Sequence, residues 1–395
     1  MSALPGRIDS IPMRRVYLDH NATTPLDPRV LEAMLPALRQ EHGNPSSIHG
    51  FGQRARAIVE DARAEVAALV AAHPTDVVFT GSGTEADNLA VRGVALAARE
   101  GRRKIVYAAF EHHAVVNTAR ALGREGFPVE AVKALPGGQV DLDDLAARVD
   151  DRTALVCLML ANNETGVVQP VAEAVALARR HGALVHCDAV QAAGKLPVDF
   201  AALGADLLAL SAHKIYGPKG VGALVVRRGT KLEPLLRGGA QERNRRAGTE
   251  NVAGLAGFGA AARLARCQLG ADAARLAALR DDLEARLLAI PDAQVNGGAP
   301  RVANTTNVSF AGTDAESLLM ALDLEGLAVS TGAACAAGAV EPSHVLRAMG
   351  LPMARVQASL RFSLGRDTTA EDVALAASVV ARAVDRQRAA ALARR

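Results

Sequence analysis

Short apolar runs alternate with helix-patterned stretches along most of this chain, and that alternation limits its fold more than any other feature. Asp76-Val-Val-Phe-Thr80 leads through Gly81-Ser-Gly-Thr84 into a helical stretch from Glu85 to Arg99. Lys104 to Ala109 ends in Phe110-Glu-His-His113 before another helical segment. Leu155 to Leu160 runs into Asn162-Asn-Glu-Thr-Gly166 and a helix from about Val171 to His181. Ala183-Leu-Val-His186 stops at Cys187-Asp188, Leu207 to Leu210 stops at Ser211-Ala-His-Lys214, and Gly222 to Val226 follows as one more strand. Strands spaced by helices predict β-α-β units and a mostly parallel sheet. Ligands of such sheets bind beyond the carboxyl ends of the strands, which is where the polar clusters of this chain fall.

The alternation fades after about Arg266. A segment rich in Ala, Leu and Arg, roughly Ala271 to Ala289, reads as an amphipathic helix that leaves the first domain and stops before Pro291. Val302 to Phe310 and Leu327 to Thr331 suggest strands of a smaller α+β domain, and Ala370 to Arg395 reads as helix. At 395 residues the chain exceeds one ordinary core, so two domains are expected: 22–266 as the large one, with 1–21 and 267–395 forming the small one. A formal net charge of +3 gives no reason to expect nucleic acid as a partner, and aromatic residues at 3% leave few platforms for base stacking. No apolar run approaches the roughly 20 residues that span a bilayer, and Met1 to Arg15 lacks a signal-like apolar core. A cytoplasmic location and no membrane partner are the expectations.

Several strand-end residues can carry chemistry. The Gly81–Thr84 turn opens a helix, so its free N–H groups can hold a phosphate, although glycine in such a turn often serves geometry alone. Asp188 ends a strand, where a carboxylate needs a cation such as a protonated pyridine nitrogen; helix capping is the other use of such an aspartate. Lys214 follows an apolar strand and precedes the turn-rich Tyr216-Gly-Pro-Lys-Gly220. A lysine in an apolar pocket has a lowered pKa and attacks carbonyl carbon, and the setting favours this over a solvated lysine. His112 and His113 can stack on a ring, move protons or serve structure, and Asn162 with Asn163 can present an amide or form a turn. Four cysteines lie scattered with no C-x-x-C pair, which argues against metal ligation by sulfur. Adjacent His186 and Cys187 face opposite sides of a strand, so no metal site is expected there. Cys157 and Cys187 fall in apolar runs and read as core. Cys335 differs: Ser330 to Ser343 is almost all small residues with two glycines, the composition of a mobile loop, and an accessible thiol there favours a nucleophile over a buried small hydrophobe.

These motifs closely resemble the cysteine desulfurases of the class V aminotransferase superfamily, in the group of nitrogenase-type and iron–sulfur-cluster housekeeping enzymes. The likeness runs from Tyr17-Leu-Asp-His-Asn-Ala-Thr-Thr-Pro25 through Gly43-Asn-Pro-Ser-Ser-Ile-His49, Thr84-Glu-Ala-Asp-Asn88 and Arg246-Ala-Gly-Thr-Glu-Asn251 to Arg361-Phe-Ser-Leu-Gly-Arg366. The resemblance implies a pyridoxal 5'-phosphate enzyme of fold type I, with a mostly parallel seven-stranded sheet flanked by helices and a smaller α+β domain. It implies that Lys214 forms the Schiff base, Asp188 pairs with the ring nitrogen and His112 stacks on the ring. Asn163 and Gln191 would contact the ring's hydroxyl side, Asn163 also the substrate. Gly83, Thr84, Ser211 and His213 would hold the phosphate, with Thr249 reaching it from the other subunit of a homodimer. Arg361 would clamp the carboxylate of L-cysteine, and Cys335 would accept sulfur as a persulfide while alanine leaves. An iron–sulfur scaffold or another sulfur acceptor is the implied partner. A selenocysteine lyase or other class V enzyme is the nearest alternative; a non-catalytic sulfur-relay scaffold would be expected to lack Lys214, Asp188 or Cys335, and all three are present. Two departures stand out: Ala333 and Ala334 precede the cysteine where a serine is frequent, and the C-terminus lacks a His-containing tail.

Overall fold

Successive side chains along the strands of the main sheet pack on opposite faces. Val77 and Phe79 pack on one face while Val78 packs on the other, and Leu208 and Leu210 oppose Leu207 and Ala209 in the same way. Both faces are therefore covered, as a parallel sheet requires. A computed structural model describes residues 14–332, 335–336 and 339–393. In spatial order the seven strands are Val77–Thr80, Gly222–Val226, Leu207–Ser211, Leu184–Asp188, Thr153–Cys157, Lys104–Ala108 and Val129–Val132. Gly222–Val226 runs antiparallel to both neighbours, and the other pairings are parallel. The seven-stranded, mostly parallel sheet flanked by helices matches the expected fold class. Val129–Val132 is the strand that the apolar pattern misses: it lies at the sheet edge, and three of its four residues are only half-buried.

Boundaries moved where caps or packing override pattern. The helix expected from Glu85 begins at Gly83, because Ser82 caps it by accepting from the Glu85 N–H at 3.1 Å. The segment expected as a helix over 271–289 is the second half of one 37-residue helix, Val252–Leu288. Glycines in its first half serve packing: a Cβ at Gly259 would lie 2.7 Å from Ala62 Cα. Residue 266, the expected division, falls inside this helix.

A second, antiparallel sheet has the order Ser359–Ser363, Thr305–Phe310, Ala293–Val295, and Val16–Tyr17 pairs in parallel with Leu327–Ala328. Its apolar cluster joins Leu18, Leu283, Phe310, Phe362 and Val380. From there the N-terminal segment crosses to the main sheet. His20 N–H donates to Ser363 O and Thr24 N–H donates to His213 O. The His20 ring lies so close on Gly365 that any Cβ there would come within 2.0 Å of it. Among the described residues no helix is long and apolar enough to cross a membrane.

Candidate active site

Three strand ends and one helix start converge on a cavity of about 230 Å³. The Val77–Thr80 strand turns at Gly81 into the capped helix, so the first-turn N–H groups of Gly83 and Thr84 have no intrahelical acceptor. Gly222 on the neighbouring strand makes this approach possible: a Cβ there would sit 2.5 Å from the carbonyl carbon of Ser82. A Cβ at Gly83 would press on Val190 at 3.0 Å and Ser211 at 3.3 Å. Ser211, His213 and Thr84 share the cavity wall with Gly83. A helix start with bare N–H groups, ringed by hydroxyls, can hold a phosphate.

Lys214 closes a 3₁₀ turn, Ala212–Lys214, that follows the Leu207–Ser211 strand. Its Nζ donates to Asn21 O at 2.5 Å and Ala22 O at 2.7 Å. Burial and the nearby Arg361 guanidinium lower its pKa to about 8, against a smaller opposing pull from Asp188. Asp188 is the last residue of the Leu184–Asp188 strand and is buried; its Oδ1 accepts from the Val190 N–H at 2.9 Å. Burial raises its pKa, and Lys214 offsets this only in part. Asp87, three residues into the helix from Thr84, and Glu111 are also buried carboxyls whose pKa values burial and Asp188 push well up. Among the described residues Glu111 Oε2 has no hydrogen-bond partner. His186 Nε2 lies 3.0 Å from Asp87 Oδ1, and burial lowers its pKa to about 3, so the neutral ring donates.

His112 caps the His113–Arg124 helix, its Nδ1 accepting from the Ala114 N–H at 3.2 Å. The ring stands at the open face of the cavity, solvent-accessible yet ringed by protein atoms. That enclosure and Lys214 lower its pKa to about 4, so at neutral pH its proton sits on Nε2. His112, Asp87 and Asp188 offer ligand atoms within 4.8 Å of one another. Asp87 is already engaged by His186, and Asp188 by the Val190 N–H.

Of the two adjacent asparagines, Asn162 makes the turn: its Oδ1 accepts from the Glu164 and Thr165 N–H groups. Asn163 lines the cavity instead, and its carbonyl accepts from Arg361 at 2.9 Å. Arg361 is buried in the Ser359–Ser363 strand and paired with Asp19 at 2.6 Å, and among the described residues its Nε has no partner. Gln191 lines the cavity as well. Thr249 is exposed and does not line the cavity of its own chain. Cys335 pairs through its backbone with Val340, and its side chain lies outside the described ones.

Sequence reasoning missed Asn21, Asp19 and Asp87. Asp87 was within reach, since residues three apart on a helix share a face and Thr84 was already a candidate. Asn21 and Asp19 stood in the quoted Tyr17–Pro25 motif without a role. Pyridoxal phosphate fits this donor set: its dianion suits the Gly83 helix start, its protonated ring nitrogen suits a buried carboxyl held high by burial, and its aldehyde suits an amine titrating near 8.

Comparison with known proteins agrees. The family model "Aminotransferase class-V" matches residues 16–375. A cysteine desulfurase of Trichormus azollae is 47% identical over 379 residues, which is 95% of this chain and 94% of that relative. One from Cereibacter sphaeroides is 48% identical over 381 residues, 95% of this chain and 97% of that protein. A solved NifS-like protein superposes with a TM-score of 0.89 at 36% identity, covering 94% of this chain and 100% of the other.

Proposed function

Because this chain belongs to the aminotransferase class-V family, we propose that it is a pyridoxal-phosphate-dependent cysteine desulfurase that converts L-cysteine to L-alanine and passes the sulfur to Cys335. The observation that carries the reading is the pairing, in one cavity, of an amine near neutrality, Lys214, with a buried carboxyl that lacks a full counter-charge, Asp188. When bound, the cofactor supplies an electron sink for a carbanion at the substrate Cα.

The residues divide the remaining work. Gly83, Thr84, Ser211 and His213 hold the phosphate, joined by Thr249 from a second subunit of a homodimer. Asp188 keeps the ring nitrogen protonated, while Asn163 and Gln191 face the ring hydroxyl. Arg361 offers its guanidinium to the substrate carboxylate, and Asp19 holds that guanidinium in place. Lys214 Nζ would take the Cα proton of the bound substrate. His112 carries a proton at Nε2, stacks on the ring and can pass that proton to the departing side. The thiolate of Cys335 attacks the substrate sulfur. The S–S bond forms as the C–S bond breaks, and the released electron pair returns to the substrate carbon, where protonation gives alanine.

The sulfur then leaves for an acceptor, and we propose an iron–sulfur scaffold protein in the cytoplasm. Residues 22–266 form the cofactor-binding body in this reading, and 1–21 with 267–395 the body bearing Arg361 and Cys335. The test is anaerobic incubation with L-cysteine and a dithiol, which reduces the Cys335 persulfide and releases its sulfur as sulfide. Wild type forms alanine and sulfide in step, while Cys335→Ala keeps the cofactor's absorbance and loses both products. Normal turnover by Cys335→Ala overturns the assignment.

A further inference from the structure

Gly332 and Ser343 bracket the segment that carries Cys335, and both meet the same carboxyl group. Gly332 has a φ of +82°, in the left-handed region that suits glycine, and a Cβ on it would lie 2.9 Å from both Cγ and Oε2 of Glu164. At the other root, Ser343 Oγ donates to Glu164 Oε2 at 2.5 Å. Ser343 also caps the His344–Ala348 helix, its oxygen accepting from the Leu346 N–H at 3.1 Å. Its own hydrogen is thereby left for the carboxyl.

Glu164 is buried and is itself held in place. It sits in the Asn162–Gly166 turn, directly after Asn163, which lines the cavity. Its N–H donates to Asn162 Oδ1 at 2.9 Å, and its carbonyl accepts from Asn307 Nδ2 at 3.3 Å. Each root of the Cys335 segment has a further tie. Ser330 and Arg361 exchange backbone hydrogen bonds of 3.2 and 2.6 Å, and His344 Nε2 donates to Glu111 O at 2.8 Å. Burial raises the pKa of Glu164, against the opposing pull of Ser343, Arg361 and His113. Packing alone would be served at less cost by an apolar side chain, so a carboxyl here points to its hydrogen bond.

We propose that Glu164 is a positioning residue for sulfur transfer: it seats both roots of the Cys335 segment on the turn that carries Asn163, and so sets the reach of the Cys335 thiolate toward substrate. This inference rests on the desulfurase reading given above. Glu164 does not line the cavity, so removal of the Cα proton by Lys214 does not need it. The later attack of Cys335 on sulfur does, because a reacting group misplaced by about 1 Å can lose about a hundredfold in rate.

The experiment compares two rates in the holoenzymes of wild type, Glu164→Ala and Glu164→Gln. One is alanine formation from L-cysteine with a dithiol present. The other is exchange of the Cα hydrogen of L-alanine in heavy water, which calls on the cofactor, Lys214 and Arg361 but on no thiol. Glu164→Ala is expected to lose about tenfold or more of the first rate and to keep the second. Glu164→Gln retains an oxygen that can accept from Ser343 and should recover most of the loss. Gly332→Ala crowds the same carboxyl from the other root and should show the same split, so it serves if Glu164→Ala does not fold. Two rates that fall together, alanine formation that stays at the wild-type level, or a Gln variant as impaired as the Ala variant each overturns the inference. A wild type that neither exchanges this hydrogen nor forms alanine from cysteine would instead overturn the proposed function, so the two failures are distinct.

Discussion

Lys214 owes its reactivity to where its amine is held. Only the neutral amine attacks an aldehyde, and a pKa near 8 makes that form the minority at pH 7 and the majority above 8. Formation of the visible absorbance from apoprotein and pyridoxal phosphate should therefore speed up about tenfold per pH unit below about 8 and level off above it. A stopped-flow series across that range checks this; a rate still climbing steeply beyond pH 9 would mean that the amine is not lowered. Lys214 and Asp188 stood out in the sequence because Asp188 ends one apolar strand and Lys214 follows another by three residues. Asn21 was not, since nothing in its spelling reveals that its carbonyl accepts from Lys214 and Gln191 together. The raised pKa of Asp188 was equally hidden, because burial is a property of the surroundings and not of the residue.

At the scale of elements, glycines decide how closely parts approach. Gly222 lets its strand touch the turn before the Gly83–Ala97 helix, and Gly365 gives the His20 ring its seat. Gly222→Val should push the helix start away from Ser211. The expected cost is about 1–3 kcal/mol of stability, together with a cofactor affinity lowered more than the melting temperature alone would suggest. Titration with pyridoxal phosphate beside thermal melting separates the two, and an unchanged dissociation constant would count against the phosphate cradle. The helix and strand periods gave six of the seven main strands. Val129–Val132 escaped because an edge strand need not be apolar, and the first half of the long Val252–Leu288 helix was not read as helix. In the fold Gly257 and Gly259 of that half face Met34 and Ala62, where only the absence of a side chain permits contact.

At the scale of the whole molecule, Thr249 is the residue whose proposed role a single chain cannot fulfil. It is exposed, and its loop is tied to the cradle helix by the Arg246–Glu85 ion pair at 2.9 Å. In the proposed homodimer, the Thr249→Ala and Lys214→Ala variants should each be impaired. A hybrid formed by mixing them holds one site with Lys214 from one chain and an intact Thr249 from the other, so activity should reappear on mixing. No recovery after demonstrated subunit exchange would place Thr249 outside the partner's site. By itself the sequence determined the alternating architecture and the strand ends at which polar residues gather, and it supplied the amine, carboxyl and thiol proposed for the site, because periodicity and residue chemistry are local properties. Only the tertiary structure decided that the N-terminal segment threads between the two sheets and brings Asn21 to Lys214. It likewise brought Arg361 from the second sheet to Asn163 and grouped Asp87, Glu111 and Asp188 as buried acids. Contacts between residues 142 to 198 positions apart depend on how the sheets pack, and no local pattern in the chain encodes that distance.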